Sequence, residues 1–137
     1  MRTHWKLMLA TLGGIAVGAG GMAGLHAQQT GSIKRTLLQT IDLTGVPNKH
    51  AIMGIAEIPP GAMAGHHFHH GQEIGYVLEG SLELMVDGQP KQGLKAGQSY
   101  AIPAETPHDA MSVGDAPAKL LAIYIVDADK PLAEPVK

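Results

Sequence analysis

The chain has 137 residues, with 10 lysines and arginines against 12 aspartates and glutamates, a formal net charge of −2 and no cysteine. This charge balance excludes the basic surface that nucleic-acid binding requires, and the absence of cysteine excludes a scaffold held by disulfides. The length allows one domain, whose stability must come from core packing, with bound metal or self-association as further contributions.

The N-terminal part has the pattern of a secretory signal peptide. Arg2 and Lys6 make a positive start, an apolar stretch covers residues 7–25, and Ala27 supplies the small residue of a cleavage site. The alternative is an uncleaved membrane anchor, because the stretch approaches the roughly 20 residues that span a bilayer. Its six glycines weaken that alternative. We therefore predict a signal peptide at 1–27 and a periplasmic or secreted protein.

The rest of the sequence breaks into short apolar stretches separated by turn residues. The pattern predicts strands at 33–41, 49–58, 73–78, 82–86, 99–102, 108–113 and 118–126. A loop is predicted at 94–98, and a mobile tail over the last ten residues. Many short strands without a long segment of period 3.6 favour an all-β sandwich or barrel, which hides strand edges.

Four histidines crowd into five positions, and a glutamate follows three residues later. These residues are His66, His67, His69, His70 and Glu73. Neutral imidazoles with one carboxylate suit a first-row transition metal. Because side chains alternate along a strand, His67 and His69 share one face while His66 and His70 share the other. One of the two pairs can therefore share a metal, and alternation leaves open which pair it is.

A further ligand must come from another strand. His108 is the only other histidine inside an apolar strand region, since His50 lies at a polar strand start. Three imidazoles and one carboxylate leave two positions of an octahedral ion open, which is typical of a catalytic site. The donors suit Fe, Mn, Zn, Ni or Cu. Outside the cytoplasm Zn or Cu should outcompete Fe and Mn, so we predict mixed metal content in the isolated protein.

The histidine-rich segment resembles the first conserved motif of the cupin superfamily. That motif is a glycine, five residues, His-x-His, three or four residues, a glutamate, six residues and a glycine. Every spacing is met by Gly61, His67, His69, Glu73 and Gly80.

A second cupin motif is matched less completely. Gly97, Pro103 and His108 fit its glycine, proline and histidine. Glu105 stands where the family has glycine, and Ser112 where it has asparagine. Neither position is a ligand; Glu105 is expected to reshape the loop before His108 or to place a carboxylate near the cavity mouth.

The resemblance implies a double-stranded β-helix, or cupin-type jelly-roll barrel, over 49–127. A lead-in and first strand at 28–48 precede it, and a tail at 128–137 follows. The resemblance also implies that His67, His69, Glu73 and His108 bind one divalent transition metal. It thereby selects the first histidine pair and leaves His66 and His70 as outward-facing bystanders, with a role at the cavity rim as the alternative.

The implied function is a metalloenzyme acting on a small oxygen-rich substrate such as a keto-enol, hydroxy-carboxylate or sugar acid. Oxidative, dioxygenase-like chemistry is favoured over a Lewis-acid lyase or isomerase, and Glu73 is the candidate catalytic residue. A non-catalytic module that binds a metal or small ligand is the alternative, and a structural barrel with a vestigial site is the third. The superfamily also makes a homodimer plausible, with 33–41 as the interface strand.

The sequence also predicts the surroundings of three other polar residues. Tyr76 and Tyr100 are expected to pack against the core, with hydrogen bonding beside the ligands as the alternative. Asp109 is expected on a solvated face.

Overall fold

The structure is a computed structural model that describes residues 32–137, and every regular element in that range is a β-strand. The strands are β1 (Lys34–Asp42), β2 (Lys49–Ile58), β3 (His67–Phe68), β4 (Gly71–Glu79), β5 (Ser81–Val86), β6 (Gln92–Lys95), β7 (Ser99–Ile102), β8 (His108–Ser112), β9 (Ala118–Asp127) and β10 (Glu134–Pro135). The predicted signal peptide at 1–27 lies outside the described residues, so export and anchoring stay predictions. Between residues 32 and 137, no helix is long and apolar enough to span a bilayer.

Two five-stranded antiparallel sheets build the domain. One sheet has the order β1-β2-β9-β4-β7, and the other has the order β10-β3-β8-β5-β6. Ala56 of β2, Leu84 of β5 and Leu120 of β9 belong to one buried cluster, so the inner faces of both sheets share a core. The predicted all-β jelly roll is confirmed.

Alternation of side chains places the core. Along β9, buried residues alternate with half-buried ones over all ten positions, as a strand with one face on a core requires. Val77, Leu82 and Ile102 are essentially fully buried. Each such side chain contributes about 1.5–3 kcal/mol to folding relative to an exposed position.

Gly80 turns the chain from β4 in one sheet to β5 in the other, so the two strands do not form the hairpin that the sequence around Gly80 suggests. Its φ is 75°, a left-handed conformation that side chains disfavour. A Cβ atom at this position would also lie 2.4 Å from the carbonyl oxygen of Pro117. The last glycine of the first motif therefore serves a tight turn that lies against the backbone just before β9.

Two segments that were predicted to be irregular each contain part of a strand. The predicted loop at 94–98 overlaps β6, whose Leu94 is buried opposite Leu82 of β5. The tail at 128–137, which was expected to be mobile, packs on the domain: β10 pairs with β3, and Leu132 packs on the core. Both segments are fixed by partners distant in sequence, which local composition does not show.

The first strand lies at the edge of its sheet. Every residue of β1 is exposed, with Leu37 at 58% and Ile41 at 60% of full exposure. An exposed edge with apolar side chains is compatible with pairing to a second chain. The homodimer nevertheless stays a prediction.

Candidate metal centre

The four predicted ligand residues come together between the sheets. His67 lies in β3 directly opposite His108 of β8, Glu73 lies in β4, and His69 lies in the short connection between β3 and β4. One ligand atom from each residue lies within 4.8 Å of the others. Atoms that share a metal at about 2.0–2.2 Å are at most about 4.4 Å apart. The four ligand atoms would need to approach one another by only a few tenths of an ångström to coordinate one metal ion.

The three imidazoles are oriented by backbone carbonyl groups. Nδ1 of each ring lies within hydrogen-bond distance of one carbonyl oxygen, and carbonyl oxygens only accept. The acceptors for His67, His69 and His108 are Gly65, Leu132 and Thr106, respectively. With the proton on Nδ1, each Nε2 carries a free lone pair. This arrangement is the one that histidine ligands of metals adopt.

The carboxylate of Glu73 faces two of these lone pairs. Its Oε2 atom lies 2.9 Å from Nε2 of His69 and 3.2 Å from Nε2 of His108. Nε2 of His69 is fully buried and has no hydrogen-bond partner among the described residues. Two acceptors at such a distance repel each other unless a cation or a proton lies with them. The buried donor set therefore fits a divalent metal ion.

Burial and hydrogen bonds set the protonation of the cluster. Burial lowers the pKa of His67 from 6.5 to about 4, so this ring is neutral at pH 7. Burial would raise the pKa of Glu73, but the polar contacts with His108, His69 and Tyr100 outweigh it and lower that pKa. Burial opposes the charge of His108, yet the hydrogen bond with Glu73 raises its pKa. Metal binding requires the neutral form of His108 and therefore competes with protonation of that ring.

Tyr100 reaches Glu73 by passing over Gly75, which has no side chain. It lies opposite Gly75 in the pairing of β4 with β7, and Glu73 lies two residues before Gly75 on the same inward face. The Tyr100 hydroxyl donates to Oε1 of Glu73 at 2.7 Å. Burial, followed by the Glu73 charge, raises the pKa of Tyr100, so the hydroxyl stays a donor. Tyr100 thus orients the carboxylate ligand, whereas Tyr76 is exposed.

Replacing Tyr100 with phenylalanine should weaken metal binding by about 10- to 100-fold, the usual effect of losing an outer partner of a ligand. The ring would still fill its site while Glu73 loses its donor. Competition with a chelator of known affinity measures the change. Tyr76→Phe removes an exposed hydroxyl from the same strand pair and should change nothing; equal affinities for both variants would contradict the orienting role.

The two remaining histidines of the cluster bond to carboxylates outside the four-ligand set, and His66 also lines the outer cavity. His66 is exposed and lies 3.0 Å from Oδ1 of Asp87. His70 is half-buried, with Nδ1 2.8 Å from Glu105 and Nε2 3.0 Å from Glu134 of β10. Hydrogen bonds to these carboxylates raise the pKa of His70. His70 therefore joins the C-terminal segment to the loop before β8.

Glu105 adopts the conformation that the second motif reserves for glycine. Its φ is 58°, and its amide donates to the carbonyl of His69 at 3.0 Å. A non-glycine residue in this region carries a conformational cost of about 1 kcal/mol. The contacts with His69 and His70 hold it there, so the departure from the motif leaves the ligand loop in place.

Sequence reasoning missed two supports of the site. The expectation of a solvated Asp109 is wrong: it is 6% exposed and accepts hydrogen bonds from the amides of Gly65 and Ala110. It thereby fixes the chain just before the histidine cluster. Leu132, whose carbonyl orients His69, lies in the segment predicted to be mobile. No local signal marks either contact, because both join residues far apart in sequence.

A cavity leads from the four ligands to the surface. An inner pocket of about 30 Å³ touches His67, Glu73 and His108, room for an ion with a water. An outer cavity of about 280 Å³ adjoins it and includes Leu132 and Pro135 in its wall. That volume is close to the lower limit of small-molecule sites. The C-terminal segment therefore forms part of the entrance.

Comparison with known protein families identifies the family of this chain. A family model described as a cupin domain matches residues 54–124, more than half of the chain. The chain belongs to the cupin family. The predicted resemblance to cupins is confirmed, and the ligand positions lie within or beside the matched range.

Curated relatives of this cupin have diverse names. It is 45% identical over 65 residues to the HTH-type transcriptional regulator PuuR of Escherichia coli (strain K12), covering 47% of this chain and 35% of that protein. It is 32% identical over 105 residues to "Polyketide synthase CurC" of Streptomyces cyaneus, covering 76% of this chain and 66% of that protein. The match thus spans about a third of the regulator.

Solved structures share the fold at low identity. A double-stranded β-helix protein from Klebsiella pneumoniae aligns with a TM-score of 0.62 and 22% identity, covering 76% of this cupin and 86% of that chain. The DMSP lyase DddQ from Ruegeria pomeroyi aligns with a TM-score of 0.64 and 22% identity, covering 82% of this cupin and 56% of that chain. An oxalate oxidase in complex with glycolate aligns with a TM-score of 0.61 and 22% identity, covering 77% of this cupin and 55% of that chain. These neighbours include enzymes, and at this identity they show the fold.

Proposed function

We propose that this cupin is a mononuclear metalloenzyme acting on a small oxygen-rich molecule. The observation that carries the proposal is the convergence of three oriented Nε2 atoms and one carboxylate at the bottom of an open cavity. His67, His69, Glu73 and His108 would hold the ion. Around an octahedral ion these four protein ligands would leave two coordination positions free, whereas a closed structural site has every position filled by protein.

A bound divalent ion would supply Lewis-acid chemistry, or electron transfer if it is redox-active, at oxygens of the substrate. The chain's own residues have separate tasks. Glu73 holds a negative charge at the centre, and Tyr100 keeps that carboxylate in one orientation. The narrow inner pocket limits water around the reacting atoms.

The relatives support enzymatic use of this fold without selecting a reaction. A lyase and an oxidase are among the structural neighbours, and both names describe chemistry on small molecules. Our sequence-based preference for dioxygenase-like chemistry therefore gains no advantage over a lyase or isomerase. Reaction class follows from the site and its metal, since one fold serves many activities.

The second candidate is a non-catalytic ligand-binding module. It is favoured by the 45% identity to a transcriptional regulator, a class of protein in which a ligand site can serve sensing. The same cavity and the same ligand residues would then retain a small molecule without turning it over. The two candidates differ only in the fate of the bound molecule.

The deciding experiment loads the metal-free protein separately with Fe, Mn, Ni, Cu and Zn under anaerobic conditions. Each form is then offered 2-hydroxy acids, 2-oxo acids, β-dicarbonyl compounds and uronates, with and without oxygen. We expect turnover, followed by mass spectrometry, with at least one metal and none in His69→Ala carried through the same loading. Retention of an unchanged compound by every metal form would instead support the binding module.

A further inference from the structure

Arg35 is exposed, and its guanidinium group lies at the wall of the cavity entrance. In the pairing of β1 with β2, Arg35 lies opposite Ala56, a buried residue of the core. Its neighbour Lys34 lies opposite Glu57 and forms an ion pair with it at 3.7 Å on the outer face. Strand alternation therefore separates two adjacent cations, one toward the solvent and one toward the metal centre.

The guanidinium is held at the wall of the cavity and keeps donors free. Its Nη2 donates to the carbonyl of Ala64 at 3.1 Å, three residues before the ligand His67. Arginine has five N–H donors in a planar fork, so most of them remain available. Among residues 32–137, no carboxylate lies within 4.0 Å of it. It is also the sole lysine or arginine lining either pocket in the described part of the chain.

Tyr124 supplies a second donor beside Arg35. It lies opposite Glu73 in the pairing of β4 with β9, and its ring packs on His69 with centroids 4.9 Å apart. Both pockets include Tyr124 and Arg35 in their walls. The Tyr124 hydroxyl has no hydrogen-bond partner among the described side chains. A tyrosine hydroxyl carries one O–H donor, so it can donate to an anion in the cavity.

We propose that Arg35 and the Tyr124 hydroxyl form a carboxylate-binding subsite at the cavity entrance, apart from the oxygens that approach the metal. The inference rests on the metal-dependent function proposed above and names its substrate class: small acids with a carboxylate remote from the chelating group. The guanidinium fork matches a carboxylate in two parallel hydrogen bonds. A divalent ion with one carboxylate ligand carries one net positive charge, and Arg35 adds another, so the cavity favours a dianion.

The test uses two probes that differ at one end. 2-Hydroxyglutarate and its 5-amide have the same α-hydroxy-carboxylate for the metal, but only the first has a remote carboxylate. Calorimetry on Zn-loaded protein should show about 10- to 100-fold tighter binding of the acid, the range of a charged hydrogen bond. Arg35→Gln should abolish this preference at unchanged zinc content. Lys34→Gln removes the same charge from the opposite face and should retain it.

The outcomes separate this inference from the proposed function. Equal affinities of the two probes for the wild type, or a preserved preference in Arg35→Gln, would overturn the subsite and leave the metal centre standing. Failure of both probes to bind Zn-loaded protein would overturn the chelating site together with the subsite. As a direct readout, the Arg35 Nε–Hε resonance should shift with the acid and stay in place with the amide.

Discussion

Replacement of His69 by alanine is expected to lower the affinity for a divalent metal by more than about 100-fold. Loss of an outer partner of a ligand typically costs 10- to 100-fold, and His69 would lose a direct donor whose Nε2 is buried and unpaired. Chelator competition followed by elemental analysis measures the loss. A thermal readout follows, because metal at 100 times its Kd stabilises the folded state by about 2.7 kcal/mol.

That stabilisation corresponds to a rise in Tm of about 10–20 °C for a domain of this size. The wild type should show the rise and His69→Ala should show none. His66→Ala is the matched control, because His66 belongs to the same histidine run but bonds to Asp87 at the surface. If His66→Ala lost metal as completely as His69→Ala, the division of the run into ligands and bystanders would be wrong.

Gly75→Ala should be among the most damaging single substitutions in the core. A Cβ atom at Gly75 would lie 2.0 Å from Cζ and 2.4 Å from the hydroxyl oxygen of Tyr100, so the ring must move. Overpacking of this kind costs about 1–3 kcal/mol and occasionally more. We expect a loss near the upper end, equivalent to a fall in Tm of about 10–20 °C. Because the displaced ring releases Glu73, metal affinity should fall as well.

The control is Gly93→Ala, since Gly93 also lies in a strand but has no atom within 4 Å of a Cβ added to it. Its Tm should stay within a few degrees of the wild type. A double-mutant cycle separates crowding from an intrinsic strand effect: Gly75→Ala should cost less in a Tyr100→Ala background than in the wild type. A Tm for Gly75→Ala equal to that of Gly93→Ala would show that the ring has another place to go.

Most of the fold could be predicted from the sequence because strand alternation is local. The predicted strand at 49–58 coincides with β2, and the boundaries of the others differ by at most two residues. The ligand residues could be found because the motif places His67, His69 and Glu73 at fixed intervals along one short segment that runs from β3 into β4. The structure brings these residues together with His108; whether they bind metal stays a prediction.

The supporting contacts could not be predicted because each depends on register between distant strands. Tyr100 reaches Glu73 only because β7 lies beside β4 with Tyr100 opposite Gly75. Arg35 lines the cavity because of its pairing with Ala56, and a shift by one residue would move it to the outer face of the sheet. Charged Asp109 was expected in water, since its amide partners are invisible in sequence.

The pairing of β10 with β3 has a kinetic consequence for the site. The ladder is only two residues long, and elements with so few bonds open at a much lower free energy than the core of a domain. Opening of this segment removes the Leu132 carbonyl that orients His69 and widens the entrance at Pro135. An ion could then exchange through a local fluctuation while both sheets stay folded, so its residence time would be governed by the C-terminal strand.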